Sequence, residues 1–215
     1  MHHAIVVIGG DPPDPRVRPH LPSPAVVIAA DGGLDHAIAL GLTVDLVVGD
    51  LDSVSATALA AAEASGVVVE RHPVAKDATD TELALDAARC RGAEAITIVS
   101  GGGDRLDHLL SAIALLGHPS LGNRRVDAWV GRAHLISLHG PATAVIDGRP
   151  GELLSLLPTG GDAHGVTTTD LAYPLVDEPL TVATSRGISN VLVGERATIT
   201  VTTGSLLVIL PEAIA

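Results

Sequence analysis

In the first half of the chain, short unbroken apolar runs alternate with helix-length stretches, and that order leaves little choice but a parallel sheet with helical crossovers. The runs are residues 4–8, 25–30, 45–48, 67–69 and 95–99. They are rich in Val and Ile and do not alternate with polar residues, as strands covered on both faces do not. Between them lie helical stretches at 34–40, 55–65, from the Thr79 cap to about Arg91, and 105–116. Gly41, Gly66 and Gly92 stand where three of these helices should stop. Thr79-Asp80-Thr81-Glu82 has the form of a capping box. On the last helix Leu106, Leu109, Leu110 and Ile113 recur at helical spacing, which predicts a core stripe. Asp11 to Pro24 is proline-rich and reads as a loop with little helix potential. In open sheets of this kind ligands bind beyond the carboxyl ends of the strands.

After about residue 131 the pattern changes. Segments 134–138, 143–147, 153–157, 180–184, 191–193, 197–202 and 205–210 are short, often β-branched, and separated by Gly, Pro and Asp. This predicts an all-β sandwich or barrel. The expected organisation is an α/β nucleotide-binding catalytic domain over 1–133, with a mostly parallel sheet, followed by a β domain over 134–215.

A formal net charge of −12 argues against a protein that tracks a nucleic-acid backbone, which needs clustered Lys and Arg. If such a chain binds a polyanion, it needs metal ions to do so, and its acidic clusters can hold them. Cys90 is the only cysteine, so no intrachain disulfide can form, which suits a reducing compartment. Met1-His2-His3 runs straight into an apolar strand without a basic leader, and no apolar run reaches membrane-spanning length. The expectation is a cytoplasmic protein with no membrane partner.

Four acidic or glycine-rich clusters fall at strand ends or helix starts. Asp31-Gly32-Gly33 follows the second strand and Asp50-Leu51-Asp52 the third. If the latter is extended, both carboxylates point to one side, and Mg²⁺ is commonly held by one or two carboxylates plus substrate phosphates. Turn formation and helix capping account for Asp and Gly at such places equally well. Lys76, Asp77, Thr79 and Asp80 combine a phosphate-binding charge with a helix start. Ser100-Gly101-Gly102-Gly103 leads into Asp104, Arg105, Asp107 and His108 at a helix N-terminus, where backbone N–H groups favour an anion. There is no Walker A loop, no dinucleotide fingerprint and no nucleophile elbow. His36, His118, His134 and His139 show no ligand spacing.

Taken in order, these clusters resemble the thiamine pyrophosphokinase (thiamine diphosphokinase) family. The stretches that carry the resemblance are Ala30–Gly33, Asp45–Val54, Lys76–Leu85, Gly102–His108, Leu171-Ala172-Tyr173-Pro174-Leu175 and Gly187-Ile188-Ser189-Asn190. The resemblance implies transfer of a pyrophosphoryl group from ATP to thiamine, giving thiamine diphosphate and AMP with Mg²⁺. It implies a homodimer with the thiamine site at its interface. Asp31, Asp50, Asp52, Asp80 and Asp107 would be the catalytic carboxylates, with Asp50, Asp52 and Asp80 on the metal. Lys76, Thr79, Asp104, Arg105 and His108 would hold ATP, and Ser189 and Asn190 thiamine. Members of the family can carry an aromatic residue after that Ser-Asn pair, whereas here Val191-Leu192-Val193 follows. Two other readings keep parts of this picture: a pyrophosphokinase acting on a different alcohol, and a non-catalytic homologue that binds thiamine or nucleotide.

Overall fold

Fully buried apolar strands set the architecture of the first part of the chain. The computed structural model describes residues 2–214; Met1 and Ala215 are outside the described residues. Strands β1 (His3–Val7), β2 (Val26–Ala30), β3 (Leu46–Gly49), β4 (Val68–Arg71) and β5 (Ala95–Ser100) form a parallel sheet in the order β5-β1-β2-β3-β4. All residues of β2, β3 and β5 are buried, whereas β4, on the edge, is not. Helices α1 (Gly33–Ala39), α2 (Ala56–Ala64), α3 (Asp80–Cys90) and α4 (Leu106–Leu115) alternate with these strands. Gly33 is required for close approach: a Cβ there would lie 2.1 Å from the Val7 carbonyl oxygen, so any side chain would push α1 off β1.

The Thr79 cap forms as the sequence predicts. Thr79 Oγ accepts from Glu82 N at 3.2 Å and starts α3, and Arg91 and Gly92 end it. Ser55 caps α2 and is itself held by Asp35 of α1, whose Oδ2 accepts from Ser55 N at 3.0 Å. Two expectations are corrected. Pro15–His20 is a 3₁₀ helix, because Asp14 accepts from Arg16 N and Pro15 occupies its first turn. The stripe of α4 is not a buried core face: Leu109 and Ile113 are half-buried and the other two are exposed. Leu106 is 66% and Leu110 57% exposed, and the one residue of α4 that is buried is Ala112. Helical spacing showed that these residues share a face, but not what that face meets.

The chain divides into two units, the first running to residue 112 with Ala128–Gly131, the second comprising Ile113–Asp127 and the residues from Arg132 on. Both α4 and strand β6 (Arg125–Val130) are divided between them. In the first unit Gly131 N donates to Ser100 O beside β5, and Trp129 lies against His20 with ring centroids 5.1 Å apart.

The second unit is antiparallel. Strands β7 (Ala133–His139), β9 (Leu153–Pro158), β12 (Asn190–Val191) and β14 (Ser205–Leu210) run in the order β12-β9-β14-β7. A four-stranded sheet contains β8 (Ala142–Asp147), β10 (Ala163–Thr169), β11 (Glu178–Leu180) and β13 (Arg196–Val201), ordered β11-β10-β13-β8. Leu154, Leu156, Leu206 and Val208 from the first set share one core with Ile146, Val166, Ile199 and Val201 from the second. A sandwich of this kind follows from period-two burial, as in Arg196–Val201, where alternate residues are buried. Sequence pattern missed β10, which Gly165 interrupts at φ +64°. Among the described residues no helix is long and apolar enough to cross a membrane.

Candidate active site

Adjacent parallel strands end side by side, so the residues just beyond them share one edge. Asp31 follows β2 and Asp50 follows β3, and the ligand oxygens of Asp31, Asp50 and Asp52 all lie within 4.8 Å of one another. The route to this convergence is not an extended Asp50-Leu51-Asp52. Leu51 is left-handed at φ +67° with its side chain buried, and Asp52 N donates back to Asp50 Oδ1 at 3.3 Å. For a leucine that conformation costs about 1–2 kcal/mol, and strain of this sort gathers at functional sites. Asp31 itself (φ +48°), Asp104 (φ +67°) and Ser189 (φ +57°) are left-handed too.

Asp80 joins the group from the first residue of α3. A Cβ on Gly49 would stand 3.0 Å from Asp80 Oδ1 and 3.2 Å from Asp31 Cβ, so the glycine admits both aspartates to the same space. Lys76 Nζ donates to Asp50 Oδ2 at 2.9 Å and stands 3.1 Å from Asp80 Oδ1. The second contact is an ion pair without hydrogen-bond geometry. Asp31 Oδ1 is a buried carboxylate oxygen without a hydrogen-bond partner, and Asp80 Oδ1, also buried, has the Lys76 ammonium beside it.

Electrostatics follow from this crowding. Burial pushes the Asp31 carboxyl above its ordinary range, and the charges of Asp80 and Asp50 add to the effect. Asp50 moves the other way, chiefly because Lys76 donates to it. Burial opposes the charge on Lys76, but its contacts with Asp50 and Asp80 outweigh that and raise its pKa. Lys76 is the only lysine in the chain, a signal the sequence reading did not use. Lys76 pairs with Asp50 and Asp80, and Asp31 and Asp52 stand beside them, so the group carries an excess of negative charge that a cation would relieve. The unpartnered Asp31 oxygen and the hard carboxylate donors around it suit Mg²⁺.

The remaining site candidates divide. Thr79 uses its hydroxyl on the cap of α3. The glycine loop begins at the end of β5, two strands from β2 and so roughly 10 Å along the edge. There Arg105 Nε donates to Asp107 Oδ1 at 3.0 Å, and this contact holds the Asp107 carboxyl down at about 2. Asp104, Arg105, Asp107 and His108 are all exposed. Sequence reasoning overlooked Asp11. A Cβ on Gly103 would lie 1.7 Å from Asp11 Oδ2, so the loop's glycines admit this carboxylate. Its only sequence signal is that it follows Gly9-Gly10 at the end of β1. In the second unit Ser189 is exposed and its N–H donates to Ser155 Oγ at 3.0 Å, while Asn190 is buried at 3%.

Carboxylates able to hold a cation, with a lysine among them, at the carboxyl edge of a parallel sheet are an arrangement that α/β phosphotransferases use, and the family matches put the chain in that class. Two family profiles match the chain: "Thiamin pyrophosphokinase, catalytic domain" over residues 19–127 and "Thiamin pyrophosphokinase, vitamin B1 binding domain" over 143–208. The chain belongs to the thiamin pyrophosphokinase family, and it is an enzyme of that kind. It is 26% identical over 208 residues to the thiamine pyrophosphokinase of Bacillus subtilis, covering 95% of this chain and 97% of the relative. The crystal structure of thiamine pyrophosphokinase from Bacillus subtilis superposes with a TM-score of 0.83 at 26% identity, covering 97% of this chain and 98% of that one. That of thiamin pyrophosphokinase from Geobacillus thermodenitrificans gives 0.79 at 25% identity, with 97% and 96% covered.

Proposed function

We propose that the protein transfers pyrophosphate from ATP to thiamine, giving thiamine diphosphate and AMP, in a Mg²⁺-dependent reaction. The observation that carries this reading is the set of aspartates around Lys76 at the sheet edge, within a chain matched by both family profiles. Asp31, Asp50 and Asp52, with Asp80 beside them, would hold Mg²⁺, which supplies charge neutralisation at phosphate oxygens.

The acceptor alcohol oxygen forms a bond to the β-phosphorus of ATP while the bond from that phosphorus to the α-phosphate's oxygen breaks. AMP leaves with the electron pair, and the alcohol proton passes to a carboxylate of the group. Lys76, held between Asp50 and Asp80, brings a fixed positive charge to the phosphates. Positioning and charge balance do the work that covalent intermediates do in other enzymes. Arg105 and His108 with Asp104 and Asp107 form a second polar group for the nucleotide, for which Arg105 must leave Asp107. The chain up to residue 133 serves ATP, and the rest serves thiamine. A homodimer with thiamine at its interface and a cytoplasmic location complete the reading.

An AMP-release assay with ATP, thiamine and Mg²⁺, with EDTA as control, tests it. Release of AMP that needs both thiamine and Mg²⁺ is expected. Release with another alcohol but not with thiamine points to a different acceptor, and binding without release to a non-catalytic homologue.

A further inference from the structure

Asp31 and Asp52 reach the carboxylate group on different elements, and a side chain outside the group ties those elements together. Asp31 lies just before α1, whose first residue, Gly33, is set close against the Val7 carbonyl. Asp52 stands on the segment between β3 and α2, after left-handed Leu51 and before the Ser55 cap. Bonds inside this segment are local: Asp52 N donates to Asp50 Oδ1, and the Ser53 hydroxyl donates to Asp52 Oδ1. Lys76 and Asp35 reach it from elsewhere. Lys76 holds Asp50 at one end. At the other end Asp35 of α1 accepts from both donors of Ser55, the N–H at 3.0 Å and the hydroxyl at 2.5 Å. Ser55 Oγ in turn accepts from Ala58 N at 3.3 Å, so one carboxylate fixes the end of the segment together with the first turn of α2. Between the two anchors Ser53 packs over Gly32, where a Cβ would lie 3.6 Å from Ser53 Cβ.

We infer that Asp35 is a positioning residue for the cation site: by gripping Ser55 it keeps the Asp50–Ser55 segment, and Asp52 on it, at a fixed separation from Asp31. The inference rests on the proposed reading of the carboxylate group as a Mg²⁺ site. Three carboxylates whose oxygens lie within 4.8 Å of one another repel. Leu51 is buried, but Asp52, Ser53 and Ser55 are exposed, so burial does not hold the stretch that carries Asp52. Backbone strain at Leu51 falls in the same stretch. A segment with these reasons to move is held only by bonds from a rigid neighbour, and α1, which begins beside Asp31, supplies them. Both Asp35 oxygens are engaged by Ser55, so Asp35 contributes geometry to the site rather than a ligand atom. Without it the cation itself has to draw Asp52 in, and binding weakens by the cost of that ordering.

The test is binding of Mn²⁺, a cation that shares the preference of Mg²⁺ for carboxylate oxygen, read by loss of the free ion's paramagnetic resonance signal, on the parent protein and on D35A, D35N and A62G. The Mg²⁺ concentration for half-maximal AMP release and the KM for thiamine are measured alongside. D35A is expected to weaken Mn²⁺ binding by about ten-fold, the scale on which supporting hydrogen bonds act at metal sites. It should raise the Mg²⁺ requirement with it and leave the KM for thiamine unchanged. D35N loses the charge but can still accept from the Ser55 N–H and donate to its hydroxyl, so it should bind Mn²⁺ within about three-fold of the parent. A62G loosens α2 at a buried position away from the segment; its melting temperature should fall while Mn²⁺ binding holds. If D35A fails to fold, Ser55→Ala replaces it, with a loss of at least about two-fold expected. Mn²⁺ binding in D35A within about two-fold of the parent overturns the inference. So do equal losses in D35A and D35N, which make the effect one of charge, and a loss in A62G as large as in D35A, which makes it one of general stability. A parent that binds Mn²⁺ but releases no AMP removes the proposed activity and leaves this inference standing, whereas a parent that binds no Mn²⁺ removes the cation site and the inference with it.

Discussion

Asp52 and Lys76 separate function from stability at the level of single side chains. Asp52 is exposed and its carboxylate is tied to the neighbouring Ser53, whose hydroxyl donates to it at 2.9 Å. Asp52→Asn should therefore leave the melting curve within about 0.5 kcal/mol of the parent, while AMP release falls on the order of 100-fold or more through loss of a metal-holding carboxylate. Normal turnover at saturating Mg²⁺ would remove Asp52 from the site. Lys76 behaves differently, since its side chain and that of Asp50 are each only 13% exposed. Lys76→Met leaves Asp50 and Asp80 facing each other without a cation. A loss of about 1–3 kcal/mol is expected in Mg²⁺-free buffer, read by denaturant titration, with part of it restored by Mg²⁺. A loss of stability indifferent to Mg²⁺ would contradict a shared cation site. That Asp31, Asp50 and Asp80 could share one edge was legible from their places after strands and at a helix start. That Leu51 turns left-handed to bring Asp52 round was not, because leucine has no local preference for that conformation.

Elements show where a pattern in sequence names a structure and where it does not. On α4 the spacing of Leu106 and Leu110 gives the helix correctly, yet both lie on the surface. Leu106→Gln with Leu110→Gln should change stability by no more than about 0.5 kcal/mol, whereas Leu116→Ala, at 1% exposure, should cost about 2–5 kcal/mol. Equal losses in the two would restore the core stripe. In the sandwich, His139 on β7 joins β14: its Nδ1 meets Ser205 Oγ at 2.9 Å and its Nε2 meets Ser137 Oγ at 3.2 Å. Ser137 already donates to Leu116 O, so Nε2 carries the proton and the neutral ring accepts from Ser205. Burial pushes its pKa below the ordinary 6.5. Above that value the ring is neutral whether folded or unfolded and contributes nothing to the pH dependence. As pH falls through it the unfolded chain takes up a proton that the folded one resists, and stability declines. Between pH 7 and 5 the parent should lose more stability than His139→Gln, and parallel curves would show that His139 is not the group responsible.

The acidity of the whole molecule meets its chemistry at one place. With a net charge of −12, a cation that binds only the folded state should stabilise it by mass action. Millimolar Mg²⁺ is expected to raise the melting temperature beyond NaCl of equal ionic strength, and EDTA to remove that gain. An equal response to both salts would reduce the effect to screening. The amino-acid order by itself determined most of the elements, though not Pro15–His20 or β10, and with them the parallel and antiparallel halves and the carboxylate edge. Apolar runs, glycine stops and the Thr79 cap act between near neighbours, and parallel crossovers bring strand ends to one side whatever the details. Only the tertiary structure decided that Lys76 is shared by Asp50 and Asp80, that Asp11 lies against the glycine loop, that Leu106 and Leu110 stay outside and that Asn190 grips the backbone of Tyr173. Those outcomes depend on which distant segments lie within hydrogen-bonding distance, and a single strand or helix carries no record of its neighbours across the fold.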